Sequence, residues 1–108
     1  MTLTDRVVLV TGGAKRVGQA IALTLAKRGA HVVIAYHTSR KEARETLSHL
    51  NRLGARGFAV KADLSSGRQV KRMMDQIARR YGHLDVLINS ASNFHRTPFS
   101  TLSERDWD

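Results

Sequence analysis

The 108-residue chain contains no cysteine. A disulfide scaffold, a thiolate zinc site and a cysteine nucleophile are excluded together. Proline is nearly absent too, with Pro98 alone, and aromatic residues make up only 6% of the chain. The remainder is 42% hydrophobic and 25% charged, which excludes a disordered tail, a collagen-like repeat and a low-complexity linker. Apolar runs last a few residues, far short of the roughly 20 that span a bilayer. The start, Met1 to Arg6, lacks a basic segment followed by a long apolar stretch, so no signal peptide is expected. These absences predict a soluble, cytoplasmic protein with no membrane partner. Acidic residues are scarce as well: nine Asp and Glu against eighteen Lys and Arg, for a net charge of +9. Such an excess points to an anionic partner, whether nucleic acid, an acidic surface or a phosphorylated small molecule. The five histidines stand singly at positions 31, 37, 49, 83 and 95, without paired carboxylates, and predict no metal site.

What is present alternates between two patterns. Val7-Val8-Leu9-Val10 is a short, β-branched apolar run and reads as a strand buried on both faces. Val17, Ile21, Thr24, Leu25 and Arg28 then recur at helical spacing, with Gly29 placed to stop the helix. Val32-Val33-Ile34-Ala35-Tyr36 is a second strand. Ala43, Leu47, Leu50 and Leu53 form a second stripe, stopped by Gly54. Phe58-Ala59-Val60 is a third strand. Val70, Met73, Met74, Ile77, Ala78 and Tyr81 make the clearest amphipathic helix, stopped by Gly82. Val86-Leu87-Ile88 is a fourth strand, and Ser103 is a candidate N-cap for a further helix. Strand and helix alternating in units of about 30 residues predict a doubly wound α/β fold with a parallel sheet and right-handed crossovers. No internal repeat or linker marks a second domain.

The turn after the first strand is Thr11-Gly12-Gly13-Ala14-Lys15-Arg16-Val17-Gly18. In a doubly wound fold this turn presents free N–H groups at a helix N-terminus, where a pyrophosphate is favoured. Gly12 would let the chain leave the strand sharply, and Gly18 would let helix and strand approach closely. Glycines in such a turn also serve turn geometry alone, but the first βαβ unit is the context in which the motif binds nucleotide. After the second strand comes Tyr36-His37-Thr38-Ser39-Arg40, with no acid before Glu42. An acid there would accept from the ribose 2′-hydroxyl of NAD and repel a 2′-phosphate. Its absence, with His37, Ser39, Arg40 and Arg16 as donors, favours NADPH, although Arg40 alone also fits a solvated helix start. Asp63 either accepts from an adenine amino group or caps the next helix. Asn89-Ser90-Ala91-Ser92 ends the fourth strand with small residues that would let a ribose or nicotinamide lie against the backbone, as would a plain tight turn.

Thr11-Gly12 to Gly18, Asp63-Leu64 and Asn89-Ser90-Ala91-Ser92 together resemble the N-terminal half of a short-chain dehydrogenase/reductase, across essentially the whole chain. The turn Ala14 to Gly18, Tyr36-His37 with Ser39, and Asn89 to Phe94 with Thr97-Pro98 resemble the pteridine reductase branch. The resemblance implies a Rossmann-like fold and NADP(H) as cofactor. It implies that Gly12, Lys15, Arg16, Val17 and Gly18 serve the pyrophosphate turn and adenosine ribose, and that Tyr36, His37, Thr38 and Ser39 surround the 2′-phosphate. It implies that Ala62, Asp63 and Leu64 hold the adenine and that Asn89, Ala91 and Ser92 line the nicotinamide ribose. Arg16, Ser92 and Phe94 would face the substrate, Phe94 stacking on a pterin; a loop aromatic packed on the core is the other reading of Phe94. Ser90 departs from the family, in which Asn-Asn-Ala is commoner.

The family resemblance also implies a catalytic Ser and a Tyr-x-x-x-Lys pair, in which the Lys lowers the pKa of a general-acid Tyr. Tyr36 is followed at the fourth position by Arg40 and Tyr81 by Asp85, so neither fits. The expectation is therefore an NADP-binding N-terminal part of one Rossmann domain over 1–108, with no catalytic residue of its own and inactive alone. The parent would be an NADPH-dependent reductase of a pterin or dihydrofolate, and a homotetramer. The alternatives are a non-catalytic dinucleotide-binding half-domain and a reductase of a carbonyl such as a 3-oxoacyl thioester. Nucleic acid is disfavoured as partner, because Arg44, Arg52, Arg68, Lys71 and Arg79 fall on polar helix faces without aromatic interleaving.

Overall fold

The computed structural model describes residues 2–12, 14 and 16–90. Four strands and three helices alternate: β1 (Val7–Thr11), α1 (Arg16–Lys27), β2 (His31–Tyr36), α2 (Arg40–Arg52), β3 (Gly57–Lys61), α3 (Gly67–Tyr81) and β4 (Val86–Asn89). All neighbouring strands are parallel, in the order β3-β2-β1-β4. The reversal of order at β1 is what makes the sheet doubly wound.

Alternation along each strand divides the core. Val7 and Leu9 of β1, with Val33 and Ala35 of β2, pack against Val70, Met73 and Ile77 of α3. Val8, Val10, Val32 and Ile34 point the other way, against Ala22 and Ala26 of α1 and Leu50 of α2. Both central strands are thus buried on both faces, which explains why they read as unbroken apolar runs. Each fully buried Leu, Ile or Val contributes about 1.5–3 kcal/mol, so the two strands anchor the domain.

The helices correct three details of the sequence reading. In α1 the fully buried face is Gly18, Ala22 and Ala26; of the expected stripe, Ile21 and Leu25 pack half-buried against the same core, whereas Thr24 and Arg28 are exposed and Val17 is 67% exposed. Small side chains one turn apart let the helix lie close to the sheet, whereas larger ones there would hold it off. In α2, Thr46 is buried with Ala43 and Leu50, its hydroxyl satisfied by the Glu42 carbonyl at 2.9 Å. Leu53, past the helix end, is exposed. On α3, Ala78 is also exposed. Gly29, Gly54 and Gly82 do follow the helices with positive φ of 96°, 77° and 81°.

β3 begins one residue earlier than the apolar run suggests, at Gly57. A Cβ there would sit 1.8 Å from the Val32 carbonyl oxygen, so only glycine permits the β2–β3 approach. At the amino end of the sheet, the Val7 N–H donates to Asp85 Oδ2 at 2.8 Å, and the Asp85 N–H donates to the Val7 carbonyl at 2.9 Å. This reciprocal pair fixes where β4 enters beside β1. Arg6 and His83 approach the same carboxylate at 3.5 and 3.0 Å. Among the described residues no helix is long and apolar enough to cross a membrane.

Candidate functional site

Parallel strands place all their carboxyl ends on one edge, and the backbone continues that alignment past the strands. Thr11 pairs in register with Ala35 and with Asn89, and Tyr36 with Lys61. The Gly12 N–H donates to the Ala35 carbonyl, the Ala62 N–H to the Tyr36 carbonyl, both at 2.9 Å, and the Ser90 N–H to the Thr11 carbonyl at 3.1 Å. The four segments singled out from the sequence therefore converge on one edge.

At Gly12 the chain leaves β1 with φ of 70°, a left-handed conformation that a Cβ would strain. Arg16 opens α1 and is exposed, as is Val17 beside it, while Gly18 is buried in the first turn. The helix thus starts within five residues of the strand end, with an exposed arginine as its first residue; a helix N-terminus placed so is suited to an anion. Lys15, Ala91, Ser92 and Phe94 lie outside the described residues, as does Ser103.

Beyond β2, a pocket of about 270 Å³ is lined by Tyr36, His37, Thr38, Arg40 and Lys61. Ser39 is the N-cap residue of α2 but makes no side-chain capping bond. Among the described residues no carboxylate lines this pocket, and its charged side chains, Arg40 and Lys61, are cationic. Lys61 was given no role in the sequence reading. The signal available was the alternation of β3: Phe58 and Val60 face α3, so Ala59 and Lys61 must face α1 and α2.

The structure corrects the helix-cap reading of Asp63. Its Oδ1 accepts from the Ser65 N–H at 2.9 Å and from the Ser65 hydroxyl at 2.7 Å. It does not cap α3; Ser66 does, accepting from the Gln69 N–H at 3.3 Å. The Gln69 side chain in turn accepts the Asp63 N–H at 2.8 Å, locking the β3–α3 loop. Ser66-x-x-Gln69 is a capping-box spacing, a signal the sequence reading did not use. The hydrogen bonds from Ser65 hold the Asp63 carboxyl below its ordinary value. Its Oδ2 lies 4.0 Å from His37 Nε2. Ala62 is buried, and Leu64 packs partly on the core of the α3 face.

At the end of β4, Asn89 Oδ1 accepts from the buried Thr11 hydroxyl at 2.8 Å. The Ser90 hydroxyl donates to the Thr11 carbonyl at 2.6 Å. The Ser90 side chain and backbone N–H thus both donate to the neighbouring strand end. Among the described residues no three His, Asp or Glu side chains gather as a metal site. Arg44, Arg52, Arg68, Lys71 and Arg79 are all exposed.

A family model described as short chain dehydrogenase matches residues 6–108. The hydroxynaphthalene reductase-like protein Arp2 of Metarhizium robertsii is 37% identical over 107 residues, covering 99% of this chain and 40% of that protein. The short-chain dehydrogenase/reductase homolog YusS of Bacillus subtilis is 37% identical over 102 residues, covering 94% of each chain. Among solved structures, a dehydrogenase from Burkholderia cenocepacia with bound NADP superposes with a TM-score of 0.80 at 37% identity, covering 97% of this chain and 41% of that one. The chain thus spans about two fifths of the Arp2 relative and nearly the whole of YusS.

Proposed function

Since the chain belongs to the short-chain dehydrogenase family, we propose that it binds NADP(H) along the carboxyl edge of its sheet and is the dinucleotide-binding part of a reductase. The observation that carries this reading is the pocket after β2, where Tyr36, His37, Thr38, Arg40 and Lys61 surround about 270 Å³ without a lining carboxylate. A ribose bearing a 2′-phosphate fits such a wall; a bare ribose would lack the acceptor that NAD sites provide. The glycine turn and the start of α1 suit the pyrophosphate, and the NADP-bound structural neighbour supports the same cofactor.

The bound nicotinamide would supply hydride transfer. This chain's own residues orient it: Gly12 and Arg16 at the phosphates, Ala62 and Asp63 toward the adenine, Asn89 at the far ribose. Within these 108 residues no Tyr stands four before a Lys. The proposed role of this polypeptide is accordingly binding, and reduction belongs to a chain that also carries that pair. For such a chain, the turn's resemblance to pteridine reductases favours a pterin, and the Arp2 relatives' name favours a hydroxynaphthalene-type compound. A homotetramer is the assembly proposed for it.

Titration of the chain with NADPH, NADH and duplex DNA, followed by melting temperature, tests the reading. It requires a shift with NADPH, a smaller one with NADH and none with DNA. Equal shifts with the two nucleotides, or a shift with DNA alone, refute it.

A further inference from the structure

We propose that Lys61 is a specificity-determining residue that, opposite Arg40, holds the 2′-phosphate of NADPH; this rests on the cofactor reading above. Lys61 ends β3 and pairs in register with Tyr36 of β2. Phe58 and Val60 pack toward α3, and Ala59 packs on the opposite side. Strand alternation therefore sends Lys61 to the Ala59 side, the side on which α2 begins with Arg40. One pocket is lined by both residues, with Tyr36, His37 and Thr38 between them.

Among the described residues no ion pair involves Lys61 or Arg40. The nearby carboxylate, Asp63, is held by Ser65 and lies toward His37. A phosphomonoester carries about −1.5 to −2 charge near neutral pH, more than one guanidinium balances. Arg40 supplies a planar fork for two phosphate oxygens, and Lys61 supplies a point charge on a flexible stem from the adjacent strand. The β2 loop thus recognises the group from one side and β3 from the other. A competing role exists for Lys61: β3 is an edge strand, where lysine deters pairing with another chain. That role predicts no effect on cofactor choice.

Dissociation constants of the full chain for NADPH and NADH, measured for wild type, Lys61→Met and Lys61→Arg, decide between them. Lys61→Met is expected to weaken NADPH about tenfold, equivalent to about 1.4 kcal/mol, and to leave NADH within about twofold. Lys61→Arg restores most of the NADPH affinity. The deficit shrinks between about 0.05 M and about 0.5 M salt, because the contact is exposed and screened. An unchanged NADH affinity also reports that the variant is folded. If wild type prefers NADPH and Lys61→Met keeps that preference, the role of Lys61 is overturned while the cofactor reading stands. If wild type binds neither nucleotide, or both alike, the cofactor reading falls and this inference with it.

Discussion

The Thr11 hydroxyl, fully buried at the end of β1, donates to the Asn89 side-chain oxygen at 2.8 Å, 78 residues away in the chain. This bond joins the start of the glycine turn to the fourth strand's exit. It orients the Asn89 amide at the edge where the cofactor is proposed to lie. Thr11→Val keeps the shape and removes the donor. A loss of about 0.5–1.5 kcal/mol is expected for removing this part-buried hydrogen bond, measured by urea denaturation. A weaker NADPH affinity should accompany it. A variant as stable as wild type would mean the bond contributes nothing net.

The small-residue face of α1 makes a second, opposite pair of expectations. Ala22 is fully buried between helix and sheet, so Ala22→Leu should destabilise by about 1–3 kcal/mol through overpacking. Val17 is 67% exposed on the same helix. Val17→Ala should therefore stay within about 0.5 kcal/mol of wild type while altering NADPH affinity. Equal destabilisation by both variants would return the packing face to the original stripe.

Gly57 lies where β3 leaves no room for a side chain beside Val32 of β2. Because an added Cβ would meet the Val32 carbonyl oxygen at 1.8 Å, Gly57→Ala must shift one backbone. A cost of about 3 kcal/mol is expected, read as an earlier urea midpoint. The displaced β3 would also carry Lys61 away from Arg40, so NADPH affinity should fall more than NADH affinity.

Acid sensitivity should be traceable to Asp85. Its carboxyl is held below the ordinary 3.8, first by the Val7 N–H, with His83 and Arg6 adding positive charge. Unfolding removes those partners, so the unfolded chain takes up a proton at higher pH than the folded one. The resulting stabilisation is fully present above about 3.8 and is lost as the pH falls through the folded value. Asp63 acts in the same direction. Urea midpoints measured from about pH 6 to about pH 3 should decline, and Asp85→Asn should flatten part of that decline, because its amide oxygen can accept from Val7 but does not titrate. An equally steep profile in Asp85→Asn would exclude Asp85 as a source.

Much of this was legible without coordinates. Val7 to Val10 and Val32 to Tyr36 are apolar runs of strand length, and Gly29, Gly54 and Gly82 punctuate the helices, because local backbone preferences act over a few residues. They determined a parallel α/β fold, while the glycine turn and the missing acid after Tyr36 pointed to the anion site proposed at one edge. Three things needed the tertiary structure. The buried face of α1 was chosen by the sheet, which accepts Gly18, Ala22 and Ala26 and leaves the larger Val17 in solvent; periodicity alone weights size and apolarity, not closeness of approach. That Asp63 does not cap α3 was decided by Ser66, which takes the cap, and by Ser65, which holds the Asp63 carboxylate, in a loop pinned by Gln69. Lys61 acquired a role only when β3 aligned beside β2, because the charge that matters to a phosphate is set by distance in space, and strand pairing brings together residues that sequence holds 21 to 25 positions apart.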